Sequence, residues 1–591
     1  MTNAMFSFSS FNIDEIQGGY NSLREYEKDQ ALSKDNQNPL SGLENWGDIG
    51  SLCSKYGFYQ EIVAADKSVY FPKVEPPPPL PPLPPHQSPP PISNYGILGD
   101  FQFNPAFPLT EPIPETKTVF ETKKEEQYCF SSASLELLSN YAGGLKKLKG
   151  EKYCSNLGDD ETKGGGQKLS TEEIMRVAGE RYIQFSTQRV DEIFMLAHPY
   201  GSSFSGLCLE ETRDVELAHL LLAAAEKVGY QQYERASRLL KQCDWLASDT
   251  GNPVQRVVYY FVEALRERID RETGRFVSRS TVGEQEKEVM ASLGVSSNLV
   301  SMKIHQEIPF TQVMLFAGIQ AVLENVALEI NIHLVDFHIK SGVQWIVLMQ
   351  ALAERATYPI QHLKLTAVGT TEGHKMEETC KRLATFAESL SLSFSFKVVL
   401  LLDMKDIKKE HFDVEAKEAV VIYSNTILRD MISRPNCLET LMRVIRSLNP
   451  SIMVVIEVEA NHNSPSFFNR FIETLFFFSA FFDCLEDCME RENKYRMIVE
   501  GIYFRNGIHN IVATEGEERV TRSVKMNVWR AFFARFGMVG LEMSESSLYQ
   551  ANLIVNRFSC GSSCTLENDG ECLTVGWKGT PIHSLTTWKF R

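Results

Sequence analysis

The stretch INIHLVDFHI (330–339), followed after a short turn by VQWIVLMQALAERA (343–356), decides the fold. The first segment is a short apolar, β-branched run, and the second carries apolar residues at helical spacing. The pairing then repeats. HLKLTAVG (362–369) leads into KMEETCKRLATFAESL (375–390) and FSFKVVLL (394–401), and AVVIYSN (419–425) leads through CLETLMRVIRSL (437–448) into SIMVVIEVEAN (451–461). Strands this apolar are buried on both faces, and helices between them are the crossovers of a parallel sheet. The class is α/β, with a doubly wound, Rossmann-like parallel sheet as core. RFIETLFFFSAFFDCLED (470–487), KMNVWRAFFARFG (525–537) and CLTVGWKG (572–579) add helices and antiparallel edge strands.

Upstream of the sheet the period is purely helical. DVELAHLLLAAAEKV (214–228) stops at Gly229, placed as a helix C-cap, and RASRLLKQCDWLA supplies a second helix. A third opens at Asn252 and Pro253, an N-cap followed by a first-turn proline, and runs to Gly274. Residues of about 170–300 thus form an α-helical cap, and about 301–591 the α/β core. Residues 1–169 differ in kind: 12 of the 25 prolines fall between Pro72 and Pro91. The run EPPPPLPPLPPHQSPPP suits polyproline II, as a spacer or a ligand for aromatic grooves. Short aromatic islands around it and the loop GDDETKGGGQKLST complete a region expected to be disordered and to fold on partners.

At 591 residues, with 43% hydrophobic and 23% charged, the chain has material for two or three domains and a sizeable core. The net charge of −16 repels phosphate backbones, so a nucleic-acid role needs a local patch or a partner. No apolar run approaches the roughly 20 residues that cross a bilayer, and the N-terminus lacks the pattern of a secretory signal. The 12 cysteines form no CxxC pair, which suits reduced thiols. Cys484 with Cys488 reads as neighbouring thiols on one buried helix face. Cys560, Cys564 and Cys572 match no zinc spacing, so no metal is expected.

In an open doubly wound sheet a ligand lies beyond the carboxyl ends of the strands. That rule selects Asp336, Gly342, Glu457, Glu459 and His462 as a candidate ligand cleft. An acid after the first strand is the position used by nucleotide and methyl-donor folds, and two carboxylates with an imidazole suit acid–base work. The glycines oppose an enzyme: Gly342 stands alone, with no GxGxxG, GxxxxGK[ST], GxSxG or HExxH. Neither catalytic residues nor a cofactor are expected. Glu457 and Glu459 share a strand face, and fixing the adjacent loop and helix is their structural role. His333, between Ile332 and Leu334, reads as a satisfied buried histidine.

These landmarks together resemble the GRAS proteins of plant transcriptional regulation and hormone signalling. That family's VHIID motif is matched by Ile332, His333, Leu334, Val335 and Asp336, followed by Gly342, Gln344 and Trp345. LAHLLLAAAEKV and NPVQRVVYYFVEAL look like its first leucine-rich region, and LKLTAVG with the following helix like its second. IEVEANHNSPSFFNRFIETLFFFSAFFDCLE is similar to its PFYRE region; Trp529, Gly537, Trp577 and Trp588 match its SAW landmarks. The Arg-Glu pair of PFYRE is not clean in YFRNGIHNI, SAW reads TTW, and RVER reads Arg519, Val520, Thr521, Arg522. The N-terminal part lacks the motifs that give the DELLA subgroup its hormone-receptor binding.

The resemblance implies a regulator in the nucleus, with the cytoplasm as a second location, that grips DNA-binding transcription factors and other GRAS chains as homo- or heterodimers. It would reach promoter DNA mainly indirectly, with no membrane role. Leu217, Leu220 and Leu221 of the LxxLL pattern are the candidate protein contact. Arg519, Arg522, Lys525, Arg530 and Arg535 form a basic stripe, read as the solvated face of a helix or as a direct DNA contact. A methyltransferase-like enzyme or small-ligand binder, and a direct sequence-specific DNA-binding factor, are the competing readings.

Overall fold

The apolar runs become strands and the periodic ones helices in the computed structural model, which describes residues 134, 136–141, 169–187, 207–276, 297–370 and 373–591. Helices α1 (Thr171–Thr187), α2 (Leu209–Gly229), α3 (Tyr233–Asp244) and α4 (Pro253–Glu272) make the cap. Asn252 caps α4 as the sequence indicates: its side chain accepts from Gln255 N at 3.0 Å, and Gln255 returns a bond to Asn252 N. The same Asn252 amide donates to both Asp214 oxygens of α2, so one cap fixes a helix start and a helix–helix angle. Helices α5 (Ser297–Glu307) and α6 (Pro309–Asn325) follow, α6 buried along nearly its whole length.

The sheet then builds in alternation: β1 (Asn331–Phe337), α7 (Val343–Ala353), β2 (His362–Gly369), α8 (Gly373–Ser389), β3 (Phe394–Leu400), β4 (Ala419–Asn425), α9 (Pro435–Leu448) and β5 (Ile452–Val458). After it come α10 (Phe467–Cys488), α11 (Lys494–Ile498), a π-helical turn (Val499–Phe504), α12 (Arg505–Val512), α13 (Met526–Ala534), β6 (Met538–Leu541) and α14 (Glu545–Arg557). Strands β7 (Cys564–Asn568), β8 (Cys572–Trp577) and β9 (Thr580–Phe590) end the chain. Among the described residues the sheet order is β3-β2-β1-β4-β5-β9-β8-β7, with β6 on the outer edge of β9. The first five strands are parallel and the rest antiparallel. This is the doubly wound core expected, with β7 as its antiparallel edge.

Helices cover both faces. On one, Gly318 lets α6 approach so closely that an added Cβ would stand 3.4 Å from Val454 and 3.5 Å from Leu585. Phe310 of α6 meets Phe481 of α10 and Trp577 of β8 edge-on on that side. On the other, α9 and α13 bury Leu441, Ile445, Trp529 and Phe533 against Val420, Ile422, Met453 and Trp588.

The folded body also takes in a stretch that the sequence assigns to the region of 1–169. Residues 136–141 are helical, Leu138 is buried, and Tyr141 stacks on Phe476 at 4.3 Å while donating to Glu473 at 2.6 Å. The proline run, the aromatic islands and the Gly-rich loop lie outside the described residues.

Candidate functional site

The strand order reverses between β1 and β4, so the crevice selected by the sheet rule opens beyond their carboxyl ends. Asp336, near the end of β1, is buried there, and its Oδ2 accepts from Gln344 Nε2 and Trp345 Nε1, both at 2.8 Å. The indole is itself fully buried and packs edge-on against Tyr423 of β4 at 5.2 Å. The carboxylate therefore anchors the first turn of α7 and holds its indole against β4. Gly342 has a packing role. It caps α7 at φ +73°, and an added Cβ would come within 3.1 Å of Leu383 and Thr379 on α8.

Glu457 and Glu459 do what the structural reading expects. Glu457 Oε1 accepts from Leu428 N at 3.1 Å, and both oxygens of Glu459 accept from Met526 N, at 3.2 and 3.0 Å, at the start of α13. Burial, set against the attraction of Arg429, pushes the Glu457 carboxyl up to about 8. His462 is fully buried, edge-on to Phe477 at 5.0 Å, and burial with the nearby Arg429 and Arg519 lowers it to about 3, so its ring is neutral.

The register puts Asp336 and Glu457 on different faces of the sheet. Asp336 pairs with Tyr423, and Tyr423 with Val454; Glu457, an odd number of positions further along β5, lies on the opposite face, beside Ser584. Gly342, at the start of α7, and His462, between β5 and α10, lie on the loops that follow these strands. Among the described residues no group of three His, Cys, Asp or Glu is placed to hold a metal ion.

Ile332, Leu334 and Val335 are fully buried strand positions. His333 is buried as expected: Nε2 bonds Thr366 Oγ1 at 2.8 Å, while Nδ1, 3.2 Å from Glu418, makes no well-formed hydrogen bond. Burial and Lys364 outweigh Glu418 and lower its pKa to about 4.

Both surface candidates have partners within the fold. Leu217 and Leu221 are buried between cap helices, and Leu220 is half-buried, so the LxxLL face is spent on the cap's own core. The basic stripe is not one helix: 519–525 is irregular, and only Met526–Ala534 is helical. Its cations are engaged. Arg519 donates to His462 O at 2.8 Å, Arg522 to Asn463 Oδ1 at 3.0 Å, and Lys525 pairs with Glu473 at 3.1 Å. Arg530 grips both Asp569 oxygens at 2.7 and 2.6 Å, and Arg535 lies 3.6 Å from Glu439.

The sequence gives no signal for the ionic seam that ties cap to core. Buried Arg256 of α4 bridges Glu486 at 3.0 Å and Glu500 of the π-turn at 2.9 Å. Arg505 and His509 of α12 reach Glu263 and Glu267 of α4, at 2.8 and 2.6 Å. The extra residue of a π-turn re-aims the side chains around it, and no apolar periodicity reports it.

The model of the GRAS domain family matches residues 217–589. DELLA protein GAI1 of Vitis vinifera is 26% identical over 522 residues, covering 85% of this chain and 84% of its own. DELLA protein RGL1 of Arabidopsis thaliana is 30% identical over 376 residues, 64% of this chain and 70% of its own. The crystal structure of SCL7 in Oryza sativa shares the fold, with a TM-score of 0.55 at 24% identity over 63% of this chain and 99% of that one. The family match spans the cap from α2, the whole sheet and both tryptophan-bearing strands at its end, and on that ground the chain belongs to the GRAS domain family.

Proposed function

We propose that this chain is a nuclear regulator of transcription in plant signalling or development. In this reading it acts by gripping DNA-binding transcription factors and other GRAS chains rather than by reading DNA or turning over a substrate. Membership of a family whose matched relatives are plant DELLA proteins supports the regulatory role. The observation that carries the protein-contact mechanism is the fate of the basic stripe. Phosphate binding needs cations free to displace counterions, yet Arg519, Arg522, Lys525, Arg530 and Arg535 all have internal partners on a chain of net charge −16. The strand-end carboxylates Asp336, Glu457 and Glu459 likewise accept from the chain's own donors.

A gel shift with the purified chain alone, run across a salt series on promoter and scrambled duplexes, tests this. Weak retention, equal on both duplexes and gone near physiological salt, is expected. Tight, sequence-selective binding that collapses on Arg522→Ala and Arg530→Ala overturns it.

A further inference from the structure

Two thiols that sequence spacing places in separate groups meet in the fold. Cys488, the last residue of α10, and Cys560, just after α14, are 72 positions apart, with sulfurs 2.7 Å from each other. Cys484, one turn earlier, is further from Cys488, at 3.9 Å. Cys488 is half-buried and reachable from solvent, and Cys560 lies behind it, buried.

The backbones that carry the pair are fixed. Arg496 donates to Leu485 O at 3.2 Å and to Met489 O at 3.0 Å, and Lys578 pairs with Asp483 at 2.5 Å and Asp487 at 3.0 Å, which pins the end of α10. Opposite, the turn is closed by Gly561 N to Phe558 O at 2.9 Å and Ser563 N to Cys560 O at 3.0 Å. Gly561 is required there, since a Cβ would meet Val555 O at 2.2 Å. From 2.7 Å the sulfurs need approach by only about 0.7 Å to reach a disulfide bond of about 2.0 Å.

We infer that Cys488 and Cys560 are a modification site, a thiol pair that a peroxide oxidises reversibly to a disulfide. The outer thiol reacts first. Cys488, as thiolate, attacks one peroxide oxygen; the O–O bond breaks, and Cys488 becomes a sulfenic acid while the other oxygen leaves as water or alcohol. The Cys560 thiolate then attacks that sulfur, the S–O bond breaks, and a second water departs. Two thiols lose two electrons and two protons in all, and one peroxide gains them. Hydrogen bonding to Cys484 and burial hold the Cys488 thiol well above its ordinary range, and hydrogen bonding to Cys488 and burial do the same for Cys560. The pair is therefore slow at neutral pH and responds to sustained oxidation. The bond would tie the end of α10, packed on the sheet, to the turn that launches β7.

The test uses the full purified chain with hydrogen peroxide at pH 8, followed by peptide mapping without reductant. Expected are a linked peptide containing Cys488 and Cys560, a loss of two free thiols that dithiothreitol restores, and a melting midpoint higher by about 5 °C, as closure of a loop this long implies. Cys560→Ser and, independently, Cys488→Ala should each abolish both the link and the rise. Oxidation that leaves both thiols free, or that joins Cys488 to Cys484 instead, overturns the inference.

Discussion

Removing the Asp336 carboxylate separates a structural acid from a ligand-binding one. In Asp336→Ala the Trp345 Nε1–H loses its 2.8 Å acceptor while fully buried, and an orphaned buried donor costs about 1–3 kcal/mol. Gln344, half-buried, can turn toward water and adds about 0.5 kcal/mol. The space left by the carboxylate beside Tyr423 adds about 1 kcal/mol, because the indole is held by its first-turn position. The sum is a destabilisation of about 2.5–4.5 kcal/mol, with Asp336→Asn, which keeps an acceptor, at about 1 kcal/mol. Equilibrium urea unfolding of the full chain, followed by far-UV circular dichroism, measures both. A carboxylate reserved for a ligand behaves oppositely, since functional groups are commonly held at a cost to stability and their removal is neutral or stabilising. An Asp336→Ala variant within about 0.5 kcal/mol of the parent, or more stable than it, would refute the anchoring argument.

Gly342→Ala should lose about 1–3 kcal/mol in the same assay, because φ +73° is strained for alanine and its Cβ would press on Leu383 and Thr379; an unchanged midpoint contradicts the packing role. His509 should make cap–core stability depend on pH. Burial opposes its charge, but the hydrogen bond to Glu267 and the nearby Glu263 carboxylate outweigh burial and raise its pKa above 6.5. Its contribution is thus fully present below about pH 6.5 and lost as pH rises through the raised folded value. Glu263, also buried but held down to about 2 by His509 and Arg505, contributes above about pH 4.5 and loses that contribution as pH falls toward 2. The melting-point gap between the parent and His509→Gln should therefore be widest between pH 5 and 6 and shrink as pH rises above 6.5; a gap that grows with pH sinks the assignment.

The sheet was legible because its parallel strands are buried on both faces and so read as continuous apolar runs between periodic helices, as in 330–356. The cap was legible at Asn252 and Pro253, where local backbone chemistry sets the helix start. Strand β9 was not: TPIHSLTTWKF mixes polar and apolar residues, because Ser584, Thr586 and Thr587 are buried where they pair with β5 rather than exposed. The face carried by each strand-end acid was hidden as well. Alternation relates residues within one strand, but only inter-strand register puts Asp336 and Glu457 on opposite sides. The basic stripe misled because Trp529, Phe532, Phe533 and Phe536 give 525–537 a helical period that does not extend back to Arg519. The meeting of Cys488 with Cys560 depends on tertiary structure alone.

If the crevice between β1 and β4 is closed by Asp336 and Trp345, the ligands of similar sheets should find no purchase there. Calorimetric titration of the folded full chain with S-adenosylmethionine, its demethylated product and the nicotinamide dinucleotides measures this directly. Heats indistinguishable from dilution at ligand concentrations up to the millimolar range are expected. Micromolar binding of any of them that is lost in Asp336→Asn would show that the acid serves a ligand, and would return the enzymatic reading to first place.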